Sequence, residues 1–456
     1  MNIKEKAEKC LKEAASRGSI LGLERITGLL HLMGDPQDDI KTIHIAGTNG
    51  KGSFGAMLGS VLVHAGYRVG NFSSPAITAV TDYFRISGRE VSNEELFEVV
   101  ADISDIISTM TEKPTEFEVL TAAAFELFRR NECDIALVEC GMGGDTDSTN
   151  VIKAPILSVI TNVRKDHTGF LGKTIAEIAA HKAGIIKNQC PVLFGDTAPE
   201  ALSVVRTAAE KNSAELVITD LSRLSIINSD LSGTEFAFSG FGRLRIPLIG
   251  DYQPYNAANV LTAVEMLRRN GLDISDEAVR SGLSDVKWHG RFEVLCKDPL
   301  VIFDGSHNPD GICSAAKSLK KYFPDKKPVL LIGVMADKEY GLYADMLGEL
   351  VDSVCTVSPD NPRALDSHRL AEAFAEKGVE AKAFDVLGEG VRYAYEYARK
   401  NKIALVALGS LYTYREFTEE LEKIIKEKTA KPSIAGFQRV IQPFGGKVYE
   451  EGHSPS

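Results

Sequence analysis

The stretch Thr42-Ile43-His44-Ile45-Ala46-Gly47-Thr48-Asn49-Gly50-Lys51-Gly52-Ser53 decides how the chain is read. A β-branched and apolar run leads into three glycines and a lysine. Phe54, Met57, Leu58, Val61 and Leu62 then recur at helical spacing, closed by Gly66. The pattern is strand, glycine loop, helix N-terminus. Such a loop offers backbone N–H groups and the positive end of a helix dipole to a phosphate. Lys51 adds a point charge for terminal phosphates, and the Ser53 hydroxyl can hold Mg²⁺. The standard P-loop has a longer spacer before its Gly-Lys pair. Here only Thr48 and Asn49 separate Gly47 from Gly50-Lys51, and Gly52 intrudes before Ser53. A glycine-rich turn before an ordinary helix is the competing reading, and the rest of the chain separates the two.

Two helices are expected over 2–16 and 22–33, stopped by Gly34-Asp35-Pro36. Residues 68–72 read as a strand, and 135–138 and 156–160 are continuous apolar runs of buried-strand type. Ser92-Asn93-Glu94-Glu95 opens a helix, and 97–110 and 117–131 carry helical periodicity. Strands alternating with helices imply a parallel sheet covered on both faces. Ligands of such sheets sit beyond the carboxyl ends of the strands. Polar material stands at those ends: Ser73 and Ser74; Glu139 with the segment 141–150; Thr161-Asn162 and then Asp166-His167.

From about 190 to 250 the strands and helices are shorter. Residues 250–256 then open a helix with Ala257, Val260, Leu261, Val264 and Leu267. A boundary is expected near Cys296. Beyond it a second alternation starts, with strands at 300–303, 329–332, 353–357 and 403–408 and a helix over 310–322. The fold class predicted is α/β. A large N-terminal doubly wound domain of P-loop type covers 1–296, and a smaller C-terminal Rossmann-like α/β domain covers 297–428. The remainder, 429–456, is rich in Pro, Gly and Ser and is expected to be extended or disordered.

The 456 residues suit two or three domains with sizeable cores. A formal net charge of −11 argues against a general nucleic-acid binder, though local basic groups can still hold anionic substrates. The seven cysteines are scattered without a Cys-x-x-Cys pair, so neither a zinc site nor a disulfide framework is expected. The N-terminus lacks the apolar core of a signal peptide, and no apolar run reaches membrane-spanning length. A cytoplasmic protein with no membrane and no nucleic-acid partner is expected.

From about residue 21 to 417 the chain resembles the folylpolyglutamate synthase/dihydrofolate synthase family of Mur-type ligases. The segments occur in family order: Leu21-Gly22-Leu23-Glu24-Arg25-Ile26, the glycine loop, Ser74-Pro75, Glu139-Cys140-Gly141-Met142-Gly143-Gly144, and Asp147-Ser148-Thr149-Asn150. Asp166-His167-Thr168, Lys182-Ala183-Gly184-Ile185-Ile186-Lys187, and Trp288-His289-Gly290-Arg291-Phe292-Glu293 follow. Asp304-Gly305-Ser306-His307-Asn308-Pro309, Ser358-Pro359-Asp360-Asn361-Pro362-Arg363 and Gly409-Ser410-Leu411-Tyr412 complete the series.

The resemblance implies an ATP-dependent amide bond. ATP phosphorylates a pteroate or folate carboxylate, and the amino group of L-glutamate attacks the acyl phosphate. Lys51, His167 and Lys182 would be catalytic. Thr48, Asn49, Gly50, Lys51, Gly52, Ser53, Asn256, Arg291, Asp304 and His307 would bind nucleotide, with Asn256 reading adenine. Ser53, Ser74, Glu139 and His167 would serve Mg²⁺, with K⁺ as a further ion. The family lysine at Lys182 can carry a carbamate. Asp360, Arg363 and Ser410 would face glutamate, and a monomer is the family expectation.

Some residues depart from the family pattern. The loop 76–85 keeps only Arg85 as a positive charge where a histidine and arginines are common. Asp145 replaces an arginine, and Arg164-Lys165 stand where small and apolar residues are usual. A Mur-type ligase acting on a non-folate carboxylate is the alternative these changes raise.

Overall fold

The computed structural model describes residues 1–429. Eight strands form its first sheet: β1 Lys41–Ala46, β2 Val69–Phe72, β3 Phe84–Ile86, β4 Arg89–Glu90, β5 Ile135–Glu139, β6 Leu157–Ile160, β7 Val192–Phe194 and β8 Leu216–Ile218. Their order is β4-β3-β2-β5-β1-β6-β7-β8. All pairings from β2 to β8 are parallel, and the β3–β4 hairpin adds an antiparallel edge.

Side-chain alternation sorts each strand between two cores. Ile135 and Leu137 of β5 join Ile43 and Ile45 of β1 on one face. Ala136 and Val138 point to the other, toward the helices Asn93–Thr109 and Glu116–Arg130. Burial on both faces is why these strands read as continuous apolar runs.

The helix Lys51–His64 is enclosed by this sheet and by the helices Gln253–Arg269 and Asp276–Asp285. A Cβ on Gly282 would lie 2.5 Å from Val61 Cα, so only glycine permits that backbone approach. A three-stranded antiparallel sheet of β9 Leu224–Asp230, β10 Gly233–Phe238 and β11 Gly242–Ile246 sends Phe236, Phe238 and Ile246 into the same core.

A second sheet contains β12 Glu293–Lys297, β13 Leu300–Phe303, β14 Val329–Ile332, β15 Ser353–Val357, β16 Ala381–Phe384 and β17 Leu405–Leu408. Its order is β12-β13-β17-β14-β15-β16, parallel except for β12. The α/β class and the two wound sheets expected from the alternation are therefore present.

Local differences have local causes. The loop expected up to Gly88 contains β3, which pairs with β4 in a hairpin; each strand is too short to display a period. Strands expected at 68 and 403 begin at Val69 and Leu405. Of the segment 429–456 expected to be extended or disordered, Thr429 ends the helix Tyr414–Thr429, and 430–456 lie outside the described residues. All seven cysteines are free thiols. Among the described residues no helix is long and apolar enough to cross a membrane.

Candidate active site

β1 lies between β5 and β6, with Ile45 opposite Glu139 and Ala46 opposite Ile160. Gly47, Glu139 and Thr161 therefore leave the sheet side by side. Gly50, with φ of 85°, caps the helix Lys51–His64 in the left-handed region. A Cβ there would lie 2.6 Å from Asn256 Oδ1, and one on Gly47 would lie 1.9 Å from Thr161 Oγ1. The short spacing is thus a shape matched to its neighbours. Asn49 N–H donates to Asn162 Oδ1 at 2.9 Å, and Thr48 N–H donates to the Asn162 carbonyl at 3.0 Å.

Two amines meet under this loop. Lys51 Nζ donates to the Gly47 carbonyl at 3.2 Å and lies 3.8 Å from Glu139 Oε1. Lys182, buried at the end of the helix Ile175–Ala183, donates to the same carbonyl at 2.9 Å. Burial pushes the Lys182 ammonium down to about 7, and the charge of Lys51 acts in the same direction. Burial pushes the Glu139 carboxyl up to about 7, against the opposing pull of Lys51 and Arg291.

Glu139 Oε2 is buried without a hydrogen-bond partner. The Ser53 hydroxyl, also buried, accepts from Gln253 Nε2 at 3.3 Å, and Gln253 Oε1 accepts from Asn256 Nδ2 at 3.1 Å. An open carboxylate oxygen and a hydroxyl form a sparse oxygen donor set. That set fits Mg²⁺, which takes few protein groups and keeps waters. Among the described residues no group of three or more His, Cys, Asp or Glu could hold a metal ion.

Ser74 lines a cleft with Glu139, Gly52, Arg85, Trp288 and Arg291. The Arg85 guanidinium lies 5.1 Å over the Trp288 ring and pairs with Glu90 at 2.8 Å. Asp82 shapes the altered loop by accepting from the backbone of Ile77 at 2.9 Å and of Ala79 at 3.2 Å. His167 is exposed, with φ of 50°, at the start of the short helix Thr168–Leu171. Its Nε2 is 3.9 Å from Asp166 Oδ2.

Asp304 is 0% exposed. Its carboxylate accepts from Tyr252 OH at 2.7 Å, from Phe292 N–H at 2.8 Å and from Ser306 N–H at 2.8 Å. These internal bonds turn it toward the linker between the sheets, not outward to a ligand. His307 Nδ1 meets the Gly305 carbonyl at 2.9 Å, and its Nε2 is 3.6 Å from Asp166 Oδ2. Burial would raise the Asp166 carboxyl. The His307 bond and the nearby charges of His167, His307 and Lys338 outweigh burial and hold it well below the usual carboxylate range.

Asp360 and Arg363 lie exposed on the turn after β15. Ser410 is buried, and its hydroxyl accepts from Tyr412 N–H at 3.2 Å as a helix cap. Gln253, absent from the sequence-derived set, was accessible as the residue one helical turn before Asn256. The stacking of Arg85 on Trp288 left no signal, because 203 positions separate them.

Residues 45–266 match the Mur ligase middle domain, and residues 290–410 match the glutamate ligase domain of Mur ligases. The chain is 35% identical over 419 residues to the dihydrofolate synthase/folylpolyglutamate synthase of Bacillus subtilis, covering 89% of this chain and 95% of that protein. It is 37% identical over 362 residues to the folylpolyglutamate synthase of Lacticaseibacillus casei, covering 75% and 82%. The Mycobacterium tuberculosis folylpolyglutamate synthase complexed with ADP and AMPPCP superposes with a TM-score of 0.83 at 28% identity, covering 93% and 99%. Escherichia coli FolC in complex with DHPP and ADP superposes at 0.80 and 29%, covering 94% and 99%. With matched segments on both sheets and relatives aligned nearly end to end, the chain belongs to the folylpolyglutamate synthase/dihydrofolate synthase family of the Mur ligase superfamily.

Proposed function

We propose that this ATP-dependent ligase adds L-glutamate to dihydropteroate and to reduced folate (poly)glutamates through an acyl phosphate. The acceptor carboxylate oxygen attacks the γ-phosphorus of ATP, and ADP leaves. The glutamate nitrogen then attacks the acyl carbon, loses its proton, and phosphate leaves. The observation that carries this reading is the glycine loop placed against a buried Glu139 with an open oxygen and two lysines on one carbonyl. Phosphoryl transfer needs such positioning and charge neutralisation more than covalent help from the protein.

In this reading the loop 48–53 cradles the phosphates, Lys51 neutralises charge on the transferred group, and Asn256 stands where the adenine is read. Arg291 reaches the phosphates from the linker. Asp304 and His307 serve the nucleotide from the second sheet, Asp304 by fixing Tyr252 and the linker. Glu139 and Ser53 would hold Mg²⁺, with Ser74 and His167 toward a second ion. Bound there, Mg²⁺ would draw off negative charge from the phosphate oxygens. Lys182 would act as its carbamate: a buried amine pushed down to about 7 is partly neutral, as reaction with CO₂ requires.

The division of labour gives the nucleotide and pteridine side to the unit expected over 1–296 and the glutamate side, including Asp360, Arg363 and Ser410, to the unit expected over 297–428, with the boundary moved back before β12 Glu293–Lys297 because that strand pairs with β13 of the second sheet. The protein would act as a cytoplasmic monomer on small molecules alone. The test is ADP release with dihydropteroate and with tetrahydrofolate, each with glutamate and Mg²⁺. Release should require every component, and no release with either acceptor would overturn the reading.

A further inference from the structure

Asp310 is the second residue of the helix Pro309–Tyr322, which follows β13 of the second sheet. Its carboxylate bonds two residues from the first sheet's loops at once. Asn49 Nδ2 donates to Oδ2 at 2.8 Å, and Arg164 Nε donates to Oδ1 at 3.1 Å. Arg164 is anchored on its own side by Asp196. It is also laced to the glycine loop: its N–H donates to Thr48 Oγ1 at 3.0 Å, and that hydroxyl donates back to its carbonyl at 3.1 Å.

The cap of the same helix repeats the connection. Asn308 Nδ2 donates to Asn49 Oδ1 at 2.9 Å and to Asp166 Oδ2 at 2.9 Å. Adjacent loop residues Thr48 and Asn49 are thus held, one through Arg164 and one directly, by a single helix start on the other sheet.

We infer that the Arg164–Asp310 pair is a clasp that closes the second sheet's unit over the nucleotide loop and sets the loop's shape before nucleotide arrives. Arg164 and Asp310 are positioning residues, acting through Thr48 and Asn49. The inference rests on reading 48–53 as the nucleotide loop. When a binding-competent state is only partly populated, apparent affinity falls by that fraction. With the clasp cut, ATP must supply the closure itself. The apparent KM for ATP then rises while kcat at saturation is largely kept.

The test uses the full chain with Arg164→Ala, Asp310→Ala, the double variant and Arg164→Lys. Each single change should raise the KM for ATP about tenfold, with kcat within about threefold of the parent. The double variant should fall well short of the product of the two single effects, because the Arg164–Asp310 bond is common to both, while Asp310→Ala alone also loses the Asn49 bond and Arg164→Ala the Asp196 pair. Arg164→Lys keeps the charge and should recover part of the affinity. Ligand-free X-ray scattering should give a larger radius of gyration for the alanine variants. Unchanged scattering, or single effects that multiply in the double variant, overturns the clasp. A parent chain that binds no ATP overturns the nucleotide-loop reading, while the ligand-free scattering still decides the clasp.

Discussion

Lys182 Nζ and Lys51 Nζ share one acceptor, the Gly47 carbonyl, at 2.9 and 3.2 Å. Two full positive charges on one buried oxygen repel each other. Lys182, the more enclosed of the two, is the one pushed down to about 7 by burial and by its neighbour. A neutral amine there can take up CO₂ and become an anion, which replaces repulsion of Lys51 with attraction. Lys182→Ala is therefore expected to lose roughly a hundredfold or more in kcat, the scale of removing one electrostatic stabiliser. Short carboxylates such as acetate should restore part of the rate by occupying the vacated space. A loss that no small acid repairs would argue for a plain ammonium at this position.

Lys51 opens its helix beside Glu139, and its charge is the nearest cation to that carboxylate, at 3.8 Å. Lys51→Ala removes the point charge while keeping the helix start, since alanine is a strong helix former. ADP release should fall by roughly a thousandfold, consistent with losing a phosphate-side charge from a water-poor site. The melting temperature should change little. Turnover near the parental rate would mean that the loop does not hold the reacting phosphate.

The sheets were legible because both are doubly wound: each central strand is apolar on both faces, and polar residues collect where it ends. Glu139, Ser74 and Asn162 were found by that rule alone. Asp304 also stands at a strand end, directly after 300–303, whereas Asn256 and Arg291 came only through family resemblance, since no local period marks a residue as facing another sheet. The inward turn of Asp304 was not legible. Its partners Tyr252 and Phe292 lie 52 and 12 positions earlier, and nothing in the local sequence says which carboxylates are enclosed. Asp310 was hidden for the same reason. It reads as an ordinary acid in a helix's first turn, and its contacts with Asn49 and Arg164 exist only once the two sheets meet.

Gly52 sits beneath the chain's single tryptophan, which makes its packing measurable. A Cβ at Gly52 would lie 2.6 Å from Trp288 Cζ2 and 3.2 Å from its Nε1. The indole must move, and it carries the Arg85 guanidinium stacked 5.1 Å away. Gly52→Ala should fold, shift the tryptophan emission maximum, and weaken apparent ATP affinity by about tenfold, the order expected for roughly 1.4 kcal/mol. Parental emission together with parental KM would show that the indole does not touch the loop in solution.

His44 bears on stability rather than turnover. It is 0% exposed on β1. Its Nε2 lies 2.8 Å from Thr149 Oγ1 and 3.2 Å from Cys140 Sγ. The Thr149 hydroxyl donates to Asp147 Oδ1 at 2.6 Å, so it accepts from His44, which fixes the Nε2–H tautomer. Nδ1 is buried with no partner, and a proton placed there would have no acceptor. Burial first, and the charge of Lys187 second, push the imidazole down to about 3. The unfolded chain takes up this proton near 6.5, and the native chain resists it until about 3. The stabilisation is therefore complete above pH 6.5 and is lost as pH falls through that window. Linkage puts the loss between pH 7 and 5 at about 2 kcal/mol. Urea unfolding of the parent and of His44→Gln at both pH values isolates it: glutamine can still donate to Thr149 but does not titrate. The parent should lose about 2 kcal/mol more than the variant over this interval, whatever their absolute stabilities. Equal losses would mean that His44 is already charged, or already solvated, in the native protein.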